Sequence, residues 1–217
     1  MSLLAELDIA IPADRTGLVV DHFNYDTSSA AEKHDVLVLP PPAQLREGMQ
    51  TYFAPKDSTS EVIAFPRAVG HTLGAGPLLT PVLRAPKTAY SYNPKEHTDG
   101  VDPSELFAAG EQLGLVSVMQ ARNSGRFTIL GSAEMLSDKW FDAKVKKLGG
   151  KDTKTWNREF AKRVSGWTFH EVGVLRVNSI EHHLNEPGAP MDPNPKIYRV
   201  KNNVVSYSGS LATAYRT

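Results

Sequence analysis

The chain has 217 residues, 24 Lys+Arg against 24 Asp+Glu, and no cysteine. Zero net charge argues against a general nucleic-acid-binding surface, which is basic, and the missing cysteines exclude a disulfide framework and a cysteine zinc site. No apolar run reaches the ~18 residues of a membrane-spanning helix, and residues 1–7 lack the basic region of a signal peptide, so the chain as written is expected to be soluble and to carry no address.

Residues 2–7 read as the tail of a helix, with Leu3, Leu4 and Leu7 at helical spacing. A chain that opens on a helix tail suggests that an upstream part of the domain is missing. Residues 18–20 and 36–39 are short strands, the second stopped by Pro40-Pro41-Pro42 because proline has no N–H to give to a ladder. Residues 43–60 are polar and irregular, 62–65 a strand, 70–77 a glycine-rich loop, 88–92 a strand broken by Asn93-Pro94, and 94–104 a polar loop.

The organising stretch is 115–141, read as strand, tight loop, strand, helix. Leu115, Val116, Val118 and Met119 form one apolar run, and Phe127, Ile129 and Leu130 a second. Between them Asn123 and Gly125 stand where a turn needs positive φ. Gly131-Ser132 closes the strand, with Ser132 and later Ser137-Asp138 as helix caps. Strands apolar on both faces belong in the middle of a sheet covered by helices.

A helix is predicted from about 133 to 148, stopped by Gly149-Gly150, and a second from about 155 to 169. In the second, Trp156, Phe160, Val164 and Trp167 fall on one stripe, expected to pack on the sheet containing 115–131. Residues 174–177 form a strand, 186–195 a proline-rich stiff connector, and 197–207 a last strand region. The fold class is α/β up to a boundary near residue 170, and β-rich after it.

Asp21-His22 follows a strand, where α/β folds commonly place ligands. A carboxylate beside an imidazole can bind a divalent metal or move protons. The pair resembles the Asp-His-His motif of a metal-dependent phosphoesterase family, but Phe23 stands in place of the second His and no Asp-x-Asp precedes it. The structural alternative is an Asx turn in which Asp21 and Asn24 bond backbone amides. Arg122-Asn123 can grip a phosphate or carboxylate through the guanidinium fork, or be a solvated loop. Ser132 lacks the G-x-S-x-G spacing of a nucleophile elbow. His182-His183 are adjacent on a strand and point to opposite faces, so they cannot easily share one ion. Trp140, Trp156 and Trp167 read as core packing, and Gly74-x-Gly76 is too short for a dinucleotide fingerprint.

Three segments in order carry a family resemblance: residues 20–26, residues 115–141 and residues 167–177, with Gln120-Ala121-Arg122-Asn123 and Gly173-Val174-Leu175-Arg176-Val177 the most specific, and His182-His183 and Tyr198-x-Val200 fitting as well. The chain is similar, from about residue 7 to 207, to the forty-eight-kilodalton, wheat-germ-agglutinin-binding type of subunit of the endoplasmic-reticulum oligosaccharyltransferase. The resemblance implies that residues 1–170 are the C-terminal part of a Rossmann-like lumenal domain and that 171–217 begin a β-rich middle domain. It implies a non-catalytic subunit that works with other oligosaccharyltransferase subunits and meets the membrane only through segments absent from this chain. It assigns no catalytic residue, metal or cofactor. Residues 40–76 match the family poorly, and the signal peptide and membrane anchor of the family are missing here.

The residues themselves leave two other functions open. One is a metal-dependent hydrolase centred on Asp21-His22. The other is a Rossmann-like module that binds a nucleotide or sugar without turnover. Asp21, His22, Asn24, Arg122 and Asn123 are the candidate interface or ligand-loop residues.

Overall fold

A computed structural model describes residues 3–12, 17–57, 59–93, 106–184, 198–208 and 211–216, with side-chain surroundings as far as Val174. In chain order the elements are α1 (Leu3–Glu6), β1 (Ile9–Ala10), β2 (Leu18–Val20), β3 (Val36–Leu39), α2 (Gln50–Phe53), β4 (Ile63–Pro66), β5 (Thr72–Leu73), β6 (Leu79–Arg84), β7 (Tyr90–Tyr92), β8 (Gly114–Gln120), β9 (Arg126–Leu130), α3 (Asp138–Phe141), β10 (Lys144–Lys146), β11 (Asp152–Lys154), α4 (Asn157–Thr168), β12 (Val174–Leu184), β13 (Tyr198–Ser208) and β14 (Leu211–Arg216). The fold is mixed α/β with more strand than helix. Contacts divide it into Met1–Ser165 and Gly166–Thr217. No described helix is long and apolar enough to cross a membrane.

In the first unit the three-stranded sheet has the order β6-β8-β9. Gly114 through Val118 are buried, as a strand apolar on both faces requires. β9 is an edge strand, half-buried along its whole length. The 115–131 pair is therefore an antiparallel hairpin at one side of a small sheet, and not the centre of a helix-covered one. Every strand ladder among the described residues is antiparallel, and the one parallel pairing among them is an isolated bridge between Val62 and Thr155. In the hairpin loop the positive φ falls on Ser124, at 66°, rather than on Asn123 or Gly125. Ser124 N–H donates to Ala121 O at 3.0 Å and Ala121 N–H to Gly125 O at 2.8 Å, so the bend lies one residue earlier than the glycine suggests. β6 hides from sequence reading because Pro81 lies inside it, at an edge position beside a shift of register where a missing N–H costs little.

The helix expected over 133–148 is replaced by a 3₁₀ turn (Glu134–Leu136), the single-turn α3, and the hairpin β10–β11. Ser132 does not cap a helix: its hydroxyl donates to Pro66 O at 2.5 Å. Ser137 precedes α3 without a side-chain cap either. Lys144-Val145-Lys146 alternates exposed, buried, exposed, which is the period of a strand. Gly149, at φ 70°, turns the hairpin instead of ending a helix.

α4 forms within the predicted range, and Trp156, Phe160, Val164 and Trp167 are buried, as is Trp140. The hydrogen bonds of Asn157 and Arg163 fasten it to β4 and to the end of α2. The Asn157 amide accepts from Ala64 N–H at 2.9 Å and donates to Ala64 O at 2.8 Å. β3 covers one edge of β4, so the fully buried Asn157 closes the other edge as a neighbouring strand would. Arg163 donates to Tyr52 O and Ala54 O at the end of α2. A cluster of Ala30, Val36, Val38, Ala64, Trp140 and Val145 fills the space between β3–β4 and β10.

The second unit is an antiparallel sheet in the order β12-β13-β14, in which His182 and His183 register with Val200 and Arg199. The expected connector at 186–195 and polar loop at 94–104 lie outside the described residues.

Candidate functional site

Asp21 leaves the end of β2, which pairs with β7, and its side chain is fully buried. Its Oδ1 accepts from Phe23 N–H at 2.8 Å and Asn24 N–H at 3.1 Å. Its Oδ2 accepts from Asn24 Nδ2 at 3.0 Å and Thr88 Oγ1 at 2.7 Å. This is the Asx-turn arrangement, and it uses both carboxylate oxygens on protein donors. Burial alone pushes the Asp21 carboxyl up, but the bonds from Phe23, Thr88 and Asn24 outweigh it and hold the group below the usual carboxylate value. Lys147 Nζ donates to Asn24 Oδ1 at 2.9 Å; burial pushes this ammonium down, and the Asp21 charge opposes that.

His22 lies outside this carboxylate. Its Nε2 is 3.0 Å from Tyr90 Oη, and its ring is centred 4.4 Å from that of His34. Burial and the neighbouring His22 push His34 down, against Asp35. Five residues after Asp21, Asp26 repeats the turn device, accepting from Ser28 and Ser29 amides, the Ser29 hydroxyl, and Lys146 N–H at 2.8 Å. Among the described residues no group of three His, Cys, Asp or Glu side chains is arranged to hold a metal.

Asp21, His22 and Asn24 thus share one loop. Arg122 and Asn123 sit exposed on the β8–β9 turn, where Asn123 Oδ1 accepts from Gly125 N–H. The β6–β8 register sets Arg84 against Gly114 and Leu79 against Met119. The turn is therefore at the far end of the sheet from Thr88, roughly 20 Å away by strand rise. The five candidates form two places rather than one. Thr88, Lys147 and His34 complete the Asp21 loop and carry no local sequence signal, because each arrives from a distant part of the chain. An open cleft of about 730 Å³ borders Asn24, between the Pro40–Arg46 segment and β6. Its arginines are committed to carbonyls: Arg46 to Pro77 O and Arg84 to Glu111 O.

One histidine–serine pair escaped sequence reading altogether. His71 Nε2 lies 2.7 Å from Ser117 Oγ, and both residues are buried, so the pair faces no substrate. Gly114 makes room for it, since a Cβ there would meet His71 Nε2 at 2.7 Å. Burial lowers the His71 pKa from 6.5 to about 4. The unfolded chain then binds more protons than the native one between those values. Stability from neutral His71 is fully present above pH 6.5 and is lost as pH falls toward 4, by about 3 kcal/mol in all. His71→Gln should remove this component. Denaturant titrations of both proteins from pH 7 to 4 measure it, and parallel curves would refute the assignment.

Residues 1–171 match the family model described as OST48, N-terminal domain. The chain belongs to the OST48 N-terminal domain family. An Arabidopsis thaliana relative named dolichyl-diphosphooligosaccharide–protein glycosyltransferase 48 kDa subunit is 29% identical over 205 residues, covering 93% of this chain and 44% of the relative. The Schizosaccharomyces pombe subunit wbp1 of the same glycosyltransferase is 29% identical over 203 residues, covering 92% and 42%. The Danio rerio 48 kDa subunit is 32% identical over 183 residues, covering 82% and 39%. The chain spans less than half the length of these curated relatives. The OST48 family membership agrees with the resemblance read from the three ordered segments.

Proposed function

We propose that this chain is part of a non-catalytic structural and interaction subunit of an oligosaccharyltransferase, supporting N-linked glycosylation of proteins in the endoplasmic reticulum. The observation that carries the reading is the family match across residues 1–171, joined by relatives whose names place them in that glycosyltransferase. The site geometry supports it: the Asp21 carboxylate at the end of β2 accepts four hydrogen bonds that hold its own loop. In this reading residues 1–170 belong to a mixed α/β lumenal domain and 171–217 begin a β-rich one. The end of the family match at residue 171 and the division of contacts after Ser165 support that boundary.

The test is affinity purification of the tagged full-length protein from its own cells. Other oligosaccharyltransferase subunits and glycan-transfer activity should co-purify, and a chain recovered without them overturns the reading. Asp21→Ala, His22→Ala and Ser132→Ala should leave transfer per assembled complex unchanged, whatever they do to the yield of complex. Loss of transfer in a fully assembled complex would show that this chain takes part in the chemistry.

A further inference from the structure

The chain is neutral as a whole, yet residues 144–154 hold five lysines and a single acid, Asp152. These residues are the β10–β11 hairpin. Val145 is buried in the core cluster, which turns Lys144 and Lys146 outward on one face. Lys154 and Asp152 are exposed on the paired strand, and Lys151 is exposed at the turn. Lys144 lies directly opposite Lys154. Like charges so placed destabilise a ladder; Glu61 stands 3.9 Å from Lys154, and Asp152 lies opposite Lys146. Lys144, Lys146 and Lys151 have no ion pair among the described residues.

Two exposed apolar side chains stand beside these charges. Leu148, 60% exposed, is at the hairpin turn, and Phe23, 65% exposed, is on the Asp21 loop. The two loops are stitched together. Lys146 N–H donates to Asp26, Lys146 O accepts from Thr27 N–H and Oγ1, and Lys147 reaches Asn24. Phe23 N–H is itself held by Asp21. An exposed aromatic side chain, on a loop hydrogen-bonded to a lysine-rich hairpin, has the composition of an interface anchor with a charged surround.

We propose that the Phe23 loop and the β10–β11 hairpin form a docking surface for an acidic polypeptide segment of a partner subunit. This rests on the reading of the chain as a subunit of a larger complex. Charge complementarity selects the occupant. Lys144 and Lys146 are two residues apart on a strand, about 6.6 Å, which is the spacing of alternate side chains in an extended acidic segment. Attraction to an anionic membrane instead sums over the charges near its surface, and outside the stripe this chain has 19 basic against 23 acidic residues (24 − 5 and 24 − 1), a net negative charge that opposes such attraction.

The experiment labels lysines with an acetylating reagent in the full-length protein, both within its purified complex and after the complex is dissociated. Lys144, Lys146, Lys151 and Lys154 should be protected in the complex, and carbodiimide should join them to Asp or Glu of a partner subunit. Lys144→Glu supplies the missing cross-strand pair to Lys154, so it should not lower the melting temperature, yet it should reduce recovery of the partner about tenfold. Phe23→Ala should reduce recovery likewise. Equal labelling in both states, or cross-links only to Asp152 and Glu61, would overturn the surface even if the complex purifies as an oligosaccharyltransferase. Protection that appears only with phosphatidylserine vesicles would overturn it in favour of a membrane. Protection by an acidic partner outside any oligosaccharyltransferase would keep the surface and remove the subunit assignment.

Discussion

Phe160→Ala is expected to destabilise the protein by about 3–5 kcal/mol, the largest effect of any single core substitution considered. Phe160 is fully buried and lies in the first turn of α4, the longest described helix. Its ring is centred 6.2 Å from that of Trp156. Trp156 in turn gives its N–H to Val62 O and lies under the Arg163 guanidinium, which bonds the carbonyls ending α2. A cavity at Phe160 therefore opens beside the contacts that hold α4 to β4. In a chain of this size the melting temperature should fall by roughly 6–20 °C. Phe160→Leu leaves a smaller void and should cost about half as much. Calorimetry on the two variants checks the order, and an unchanged melting temperature in Phe160→Ala would show that this position is not core.

How far the fold was legible depended on whether its signals were local. The stripe on α4, the buried run of β8, the breaks after Leu39 and Tyr92, and the Asx turn at Asp21 all arise within a few residues, and all are in the structure. The failures came where a distant partner decided. Ser132 reads as a cap, but its hydroxyl is taken by Pro66. Residues 133–148 hold good helix formers, but Trp140 and Val145 both enter the core around Ala64, and past Gly149 the chain returns as β11 to pair with β10. The direction of pairing was read least well. Apolar runs do not say whether a neighbouring strand is parallel, and here the ladders are antiparallel. At the candidate site Asp21 and Asn24 were visible. Thr88 and Lys147, which fix what those residues can do, are more than sixty positions away from Asp21.

Asp21→Ala should cost about 4 kcal/mol, although the site binds no substrate in the proposed function. Removing the carboxylate breaks four hydrogen bonds, from two backbone N–H groups, the Asn24 amide and the Thr88 hydroxyl, and leaves the Asn24 amide only its 3.2 Å bond to Thr88 Oγ1. Asp21 is fully buried, so water does not readily replace it. Asp21→Asn should fall between wild type and alanine. Its amide oxygen can still accept from Phe23 and Asn24, and the Thr88 hydroxyl can rotate. The Asn24 amide cannot turn over, because its own oxygen holds Lys147. Acid should reveal the same group. The native carboxyl is held below the ordinary aspartate value of 3.8, so its contribution is present above that pH and is lost as pH falls through the lower native value. In Asp21→Ala that acid-linked part of the loss should be absent. Hydrogen exchange should also quicken in Phe23 and Asn24 ahead of the β8 amides. If alanine left the melting temperature and the exchange of residues 21–26 unchanged, the loop would be held by something other than this carboxylate, and the Phe23 anchor would lose its rigid support.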